Sequence, residues 1–220
     1  MIVRPVHNIL LLPDVSYYFK KDFFAGWSTE PIKKDDDVLF MLLREEKNGS
    51  GLTPGDFFPI GISARVEGID ESENVQVRTM ERVDISDIEV ADNHITATAS
   101  IRGEINDITD EEEGKLFVQL RNALLKFVQG YQWGVWARSY ILQRKNLHDL
   151  ACSLTDYLNL NAEEKYGILA ADSRKERDSL IEKAIYEFIE MSKVSQEATS
   201  AQKDDQEQLY REAANKKQIE

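Results

Sequence analysis

The most direct candidate for chemistry in this chain is a histidine and a cysteine four residues apart. His148 and Cys152 would lie on the same side of a helix, where an imidazole and a thiolate could together bind zinc. A zinc site needs about four ligands at short spacing, and the other two histidines, His7 and His94, lie in distant parts of the chain. Cys152 also has no local signature of a nucleophile. We therefore predict no metal ligand and no catalytic residue.

Two loops have the composition of ligand-binding motifs without their spacing. The glycine-rich stretch NGSGLTPGD, residues 48–56, lacks the Gly-Lys-Ser/Thr ending through which a phosphate loop binds phosphate and magnesium. The acidic stretch DESENVQVRTME, residues 70–81, has Val75 where a calcium loop requires glycine, and strands rather than helices are predicted around it. The sequence also has no Gly-x-Ser-x-Gly elbow and no dinucleotide-binding fingerprint. We predict that this chain is not itself an enzyme.

The remaining candidate site is a cluster of aromatic residues near the amino terminus. We select Tyr17, Tyr18, Phe23, Phe24 and Trp27 as candidate substrate-binding residues. Most aromatic side chains are largely buried, so one interpretation is that these residues belong to the core. The alternative is that some of them stay exposed and form a patch that binds unfolded polypeptides, which display apolar side chains of the same kind.

The first half of the chain predicts β structure and the second half predicts helices. Short apolar or alternating runs predict strands at residues 7–12, 15–19, 38–43, 60–69 and 75–85, and two more around Asp92-Asn93. Capping boxes follow, in which an N-cap side chain and an acid three residues later satisfy free backbone N–H groups. They begin at Thr109, Asn161 and Ser173, and Asn146 is a further N-cap.

The last predicted helices carry apolar residues at helical spacing. In the helix that follows Ser173, the sequence predicts an inward stripe of Leu180, Ala184, Phe188 and Met191. Trp133, Trp136 and Tyr140 mark an earlier segment that is also predicted to be helical. The order of strands and then helices indicates an α+β fold or two subdomains.

Charge and composition exclude several classes of partner. The formal net charge is −13, which argues against nucleic acids and anionic membranes, because both are bound through clustered Lys and Arg. Apolar residues make up 42% of the chain, which is enough to form a core. No apolar run is long enough to cross a membrane, the amino terminus lacks the features of a signal peptide, and a single cysteine excludes an internal disulfide. We predict a cytoplasmic protein.

The order of local sequence words resembles the amino-terminal region of the Lon family of ATP-dependent proteases. The matching words are HNILLLPDV at residues 7–15, VLFMLL at 38–43, Gly-Ile-Ser-Ala-Arg-Val at 61–66, Glu-Arg-Val-Asp-Ile at 81–85, and the helical stretch 147–189. The resemblance covers residues 5 to 220. No single word is specific for the family, whereas the ordered set is.

The resemblance implies a PUA-like β pseudobarrel at residues 1–108, a helical bundle at 109–194, and at 195–220 the start of a long helix leading to an ATPase module. It implies recognition of unfolded or degron-bearing substrates and support of a homohexamer. It also implies that no cofactor binds here, since ATP, magnesium and the Ser-Lys peptidase dyad belong to modules further along such a protease. The alternative is a stand-alone adaptor or binding protein with this domain and no protease.

Overall fold

The computed structural model describes residues 1–27, 31–47, 51–91, 94–131 and 133–194. The long helix expected at residues 195–220 lies outside the described residues, and so do residues 28–30, 48–50, 92–93 and 132. In the described residues, the strands end at Ile101 and the first α-helix begins at Asp110. This order confirms the predicted α+β class, while the proposed subdomain boundaries stay a prediction.

Six strands form one mixed sheet. Their bounds are β1, Ile2–His7; β2, Ser16–Lys20; β3, Asp37–Leu43; β4, Ile60–Ile69; β5, Asn74–Ala91; and β6, His94–Ile101. The order is β1-β3-β4-β5-β2, and β6 also pairs with β5. The β1–β3 pair is parallel and the others are antiparallel. β5 is therefore the spine of the sheet, because it pairs with three other strands.

The predicted strand at residues 7–12 is wrong, because the first strand ends at His7. Asn8 has a positive φ of 53°, which takes the chain out of the extended conformation. Leu10, Leu11 and Leu12 are fully buried without being a strand. Side chains satisfy part of their backbone instead: Leu10 N–H donates to Thr155 Oγ1 at 2.9 Å. The apolar run therefore reflects burial between the sheet and the helices.

The two strands predicted at 75–85 and before residue 92 form one continuous strand, β5, of 18 residues. Asp87 has a φ of 48°, and the pairing of β5 with β6 shifts in register between Ser86 and Glu89. Such a bulge bends a strand without ending it. The bend lets the first part of β5 pair with β2 and the last part with β6.

Five helices lie in the described residues. They are α1, Asp110–Val128; α2, Gly134–Leu142; α3, Leu147–Ser153; α4, Ala162–Ala170; and α5, which is described over 174–194. The capping boxes at Thr109 and Asn161 are confirmed. Ser173 Oγ accepts a hydrogen bond from the Glu176 N–H at 2.9 Å, as a cap for α5. Asn146 caps α3 through the Asp149 N–H.

The inward face of α5 differs from the predicted stripe. Ile181, Ala184, Ile185 and Ile189 are buried, whereas Met191 is exposed. The predicted stripe and the buried face share Ala184. Because successive residues of a helix are about 100° apart, a small rotation of the helix about its own axis accounts for the difference between them. The isoleucines determine the rotation, because they enter the core that the helices share with residues of the 10–15 segment.

Candidate functional site

A groove lined by exposed aromatic side chains lies in the helical half. It has a volume of about 470 Å³ and runs between α1, α2, the turn after α3, and α5. We call it the aromatic groove and define it by its six aromatic side chains: Phe127, Trp133, Trp136, Tyr140, Tyr157 and Phe188. The exposed fraction is 49% for Trp133, 65% for Trp136 and 60% for Tyr157. Large aromatic side chains are usually buried, so three with this exposure around one groove are unusual and indicate a binding surface.

Ring contacts hold the walls of the aromatic groove in place. Trp136 stacks on Tyr140 with centroids 5.6 Å apart. On the opposite wall, Phe188 meets Phe127 edge-on at 5.5 Å and lies 6.4 Å from Tyr157. These are the separations at which aromatic pairs attract each other. The groove is therefore built before any ligand arrives.

The floor of the aromatic groove is apolar. It is formed mainly by buried residues of α1 and α2, among them Leu124, Ala137 and Ile141. Asp156 is the one ionisable group other than tyrosine that lines it. A groove of this composition binds apolar side chains by removing them from water, and it offers little that would select a charged ligand.

This groove was not among the sites predicted from the sequence, although three of its aromatic residues were noted there. Trp133, Trp136 and Tyr140 stood out as a helical segment, but their spacing is equally compatible with a buried face. Their exposure depends on how α2 lies against α1 and α5, which a helical period does not specify. Two tryptophans so close together on one short segment were the available hint.

Gly134, the first residue of α2, allows this helix to approach α1. A Cβ atom at this position would lie 2.0 Å from the carbonyl oxygen of Val128. We expect Gly134→Ala to lower the free energy of unfolding by about 1–3 kcal/mol, the usual cost of an overpacked site. Gly114→Ala is the matched control, because it is an exposed position of α1 with nothing within 4 Å of the added atom.

Helix propensity predicts that Gly114→Ala stabilises the domain by up to about 1 kcal/mol. Urea unfolding of both variants measures the difference. Equal stability of the two variants would show that the backbone around Val128 moves freely to accept the methyl group.

The five aromatic residues selected from the sequence have different surroundings. Tyr17 packs between two core clusters, and its hydroxyl donates to Leu10 O at 2.9 Å; burial raises the pKa of this phenol well above its ordinary value. Tyr18 is exposed. Phe24 is buried at 3% exposure, so it is a core residue and not a surface contact as predicted. Its burial arises because the short 3-10 helix Lys21–Phe24 turns it under the sheet. The substrate-binding role of the others stays a prediction.

Phe23 and Trp27 are brought together with an arginine. The guanidinium carbon of Arg4 lies 4.1 Å from the ring centroid of Phe23 and 5.3 Å from that of Trp27. These residues line a second groove, of about 400 Å³, beside β1. We call it the β1 groove and define it by Arg4, Phe19, Phe23, Trp27, Glu46 and Lys47.

A charged network joins the sheet to the helices. Arg82 of β5 is buried and donates to the carbonyl oxygens of Leu169, Ala171 and Gly103 at 3.1, 2.9 and 2.9 Å. Arg102 donates to both carboxylate oxygens of Asp172 at 2.7 Å, and these hydrogen bonds lower the pKa of that carboxyl group. The network holds the end of α4 against the spine of the sheet.

Asp178, which is buried, and His148, which is partly buried, lie beside this network and have shifted pKa values. Burial raises the pKa of Asp178 on α5 to about 7, and the nearby carboxylate of Glu113 raises it further in the same direction. Burial lowers the pKa of His148 on α3, whose Nδ1 lies 3.1 Å from Pro13 O. Neither group lies in the aromatic groove or the β1 groove, so we assign them to packing and not to ligand binding.

Cys152 is in the core, and burial raises the pKa of its thiol to about 12. A thiol with this pKa is protonated near neutral pH and is a poor nucleophile. Among the described residues, no group of three or more His, Cys, Asp and Glu side chains is placed to hold a metal ion. Within the same residues, no helix has the length and hydropathy needed to cross a membrane.

Comparisons with known proteins give a consistent result. The sequence model of the "ATP-dependent protease La (LON) substrate-binding domain" matches residues 3–187. The chain is 24% identical over 179 residues to a Lon protease from Clostridium beijerinckii, and this match covers 80% of the chain and 22% of the relative. The chain thus spans about a fifth of the length of that relative.

Two solved structures are similar. The amino-terminal domain of a Lon protease from the Mycobacterium avium complex superimposes with a TM-score of 0.53 at 16% identity, covering 84% of this chain and 97% of that one. A Lon amino-terminal domain protein from Xanthomonas campestris gives 0.44 at 16% identity, covering 80% and 93%. The first match supports the fold. Because the family model covers most of the chain, the resemblance found in the sequence is confirmed, and the protein belongs to the family of Lon substrate-binding domains.

Proposed function

We propose that this domain binds unfolded segments of protein substrates in the aromatic groove. The observation that carries the proposal is the exposure of Trp133, Trp136 and Tyr157 around an apolar floor. Folded proteins bury most of their large apolar side chains, so a surface of this kind favours chains that have lost their fold or display an apolar degron. Burial of apolar area gives roughly 25 cal/mol per Å², so two or three bound side chains suffice for a weak, reversible interaction.

The further parts of this proposal concern the whole protein. The family supports a role in delivering substrates to an ATPase module and a serine endopeptidase with a Ser-Lys dyad, both outside this chain, as part of cytoplasmic protein quality control. ATP and magnesium would bind to that ATPase module. Assembly into a homohexamer is the corresponding proposal for subunits. The net charge of −13 supports protein substrates over nucleic acids or anionic membranes as partners.

Exchange of the two exposed tryptophans tests the role of the aromatic groove. We expect Trp133→Ser/Trp136→Ser to weaken binding of reduced, carboxymethylated α-lactalbumin by about tenfold or more, since exposed tryptophans commonly dominate the energy of an interface. Because both side chains are at the surface, we expect a change in unfolding free energy of less than about 1 kcal/mol. Fluorescence anisotropy of the labelled substrate measures the affinity, and circular dichroism checks the fold.

Tyr18→Ser is the matched control, because Tyr18 is an equally exposed aromatic residue on β2, outside both grooves. We expect its affinity to stay within about twofold of the wild type, as is usual for a residue outside the interface. Full affinity in the double variant would contradict the proposal. A loss in the Tyr18 variant instead would return the site to the aromatic segment selected from the sequence.

A further inference from the structure

The β1 groove contains an arginine, Arg4, whose guanidinium has no ion-pair partner among the described residues. The Nε atom of Arg4 is buried and has no hydrogen-bond partner among the described residues. Within the same residues, no carboxylate lies within 4.0 Å of its guanidinium nitrogens. Four arginines at the junction of the sheet and the helices each have at least one such carboxylate: Arg82, Arg102, Arg174 and Arg177. A partly buried guanidinium with free donors is the typical recognition element for a planar anion.

The other charged residues of the β1 groove leave Arg4 free to bind. Lys47 is already engaged, with its Nζ 2.6 Å from Asp56 Oδ1. Glu46 lines the groove as an exposed side chain and forms no ion pair with Arg4 in the described structure. Burial lowers the pKa of Arg4 to about 10, because the guanidinium has lost part of its hydration. An anion that entered the groove would replace part of this lost hydration.

The aromatic walls of the β1 groove indicate which chemical group of the ligand lies beside the anion. Phe23 stacks on Phe19 with centroids 4.4 Å apart, and Phe23 and Trp27 flank the guanidinium. Contact with the two aromatic rings restricts the position of the guanidinium and leaves its N–H groups available to a ligand in the groove. Glu46 lines the same groove and would repel a second negative charge on the ligand. The groove therefore favours a singly charged carboxylate over a phosphate dianion.

We propose that the β1 groove binds a carboxylate group of a peptide, with Arg4 donating to the carboxylate and an adjacent apolar side chain packing on Phe23 and Trp27. The carboxylate is either an acidic side chain or the free carboxyl terminus, and the two share this chemistry. The proposal rests on the proposed function only in that the ligand is a segment of a protein substrate. It adds a site that is separate from the aromatic groove.

Three fluorescein-labelled decapeptides of one sequence test this site. The first is neutral, with an amidated carboxyl terminus and glutamine beside its single phenylalanine. The second has glutamate in place of that glutamine, and the third is the neutral sequence with phenylalanine last and a free carboxyl terminus. At low salt we expect at least one of the two carboxylate peptides to bind about three- to tenfold more tightly than the neutral peptide, as befits a charge-assisted hydrogen bond. The peptide that binds more tightly than the neutral one shows whether the site recognises an acidic side chain or a free carboxyl terminus.

The variants separate this site from the aromatic groove. We expect Arg4→Met, which keeps an apolar stem, to abolish the carboxylate preference, and Arg4→Lys to retain part of it. Arg65→Met is the matched control, because Arg65 is an exposed arginine on β4 that is paired with Asp37. In a Trp133→Phe/Trp136→Phe background, Trp27 is the sole tryptophan, and its emission should shift when the carboxylate peptide binds.

The possible results are distinguishable. A carboxylate preference that persists in Arg4→Met, or that is absent from the wild type in both arms, overturns the assignment of this site. A preference that is lost in Arg4→Met and kept in Arg65→Met supports it. If the affinity for the neutral peptide is the same in Trp133→Ser/Trp136→Ser as in the wild type, only the role of the aromatic groove is contradicted. Circular dichroism of Arg4→Met and Arg4→Lys establishes that each variant is folded.

Discussion

Replacement of Arg82 by methionine is expected to lower the free energy of unfolding by about 3–5 kcal/mol, because several buried acceptors lose their donor at once. The guanidinium donates to three backbone carbonyls and to Asp172 Oδ1, the last at 3.2 Å. Methionine fills a similar volume but donates no hydrogen bond. The end of α4 and the segment after β6 would then be held to β5 mainly through Arg102, which bonds to Asp84 and Asp172.

Urea unfolding at neutral pH measures this effect, and Arg65→Met is the comparison. Arg65 is also an arginine paired with an aspartate, at 2.8 Å, but both side chains are about half exposed. Exposed pairs contribute at most about 1 kcal/mol. If the two variants proved equally stable, the carbonyls around Arg82 would have to find water as a donor, and the network would not be structural. Arg82→Lys should recover only part of the loss, since an ammonium group cannot reach all of the acceptors.

Replacement of Asp178 by asparagine is expected to stabilise the domain above neutral pH. Asp178 is buried, and its Oδ2 has no hydrogen-bond partner in the described structure. The charged groups that act on it are Glu104, Glu113 of α1, and Arg174 and Arg177 of α5. Two of them are acids that oppose its ionisation. Asparagine is uncharged at every pH and so imitates the protonated carboxyl group.

The direction of the pH dependence follows from the raised pKa. The folded state holds the proton of Asp178 up to a pH of about 7, whereas the unfolded chain releases it near 3.8. The contribution to stability is therefore complete below about pH 4 and is lost as the pH rises to about 7. One pKa unit corresponds to about 1.4 kcal/mol, so the total loss is up to about 4 kcal/mol.

The measurement is the difference in unfolding free energy between Asp178→Asn and the wild type at several pH values. We expect the difference to be small at pH 4 and to rise to a plateau above pH 7, in favour of the variant. Other carboxyl groups, such as that of Asp172, have lowered pKa values and contribute in the opposite direction at acidic pH, but they are present in both proteins. A difference that does not vary with pH would mean that Asp178 is ionised throughout this range.

Features that depend on neighbouring residues were well predicted from the sequence. The caps at Thr109, Asn146 and Asn161 are local hydrogen bonds between residues three positions apart, so the residue types nearly determine them. The strands with clear alternation were found for the same reason. The ordered words of the whole chain also led to the correct family, which no single word could have done.

Features that depend on distant residues were not predicted. Leu10–Leu12 are as apolar as a strand, and only the position of Thr155 reveals that they belong to a buried irregular segment. Nothing local distinguishes the buried Arg82 from the exposed Arg65, because burial follows from where α4 ends. Phe24 was selected as a candidate binding residue, with a core position as the alternative, because the order of aromatic residues does not tell which ring turns inward.

The irregular segment after β1 also has a consequence for biosynthesis. The carbonyl oxygen of Asn8 accepts a hydrogen bond from Lys165 Nζ, 157 residues further along the chain. Ribosomes add about 5–20 residues per second, so roughly 8–30 s separate the synthesis of these two partners. During that interval the native surroundings of Leu10, Leu11 and Leu12 are incomplete, because Leu169 and Ile181 of the clusters in which they lie have not yet been made. The nascent chain therefore exposes part of this apolar run until the later helices leave the ribosome.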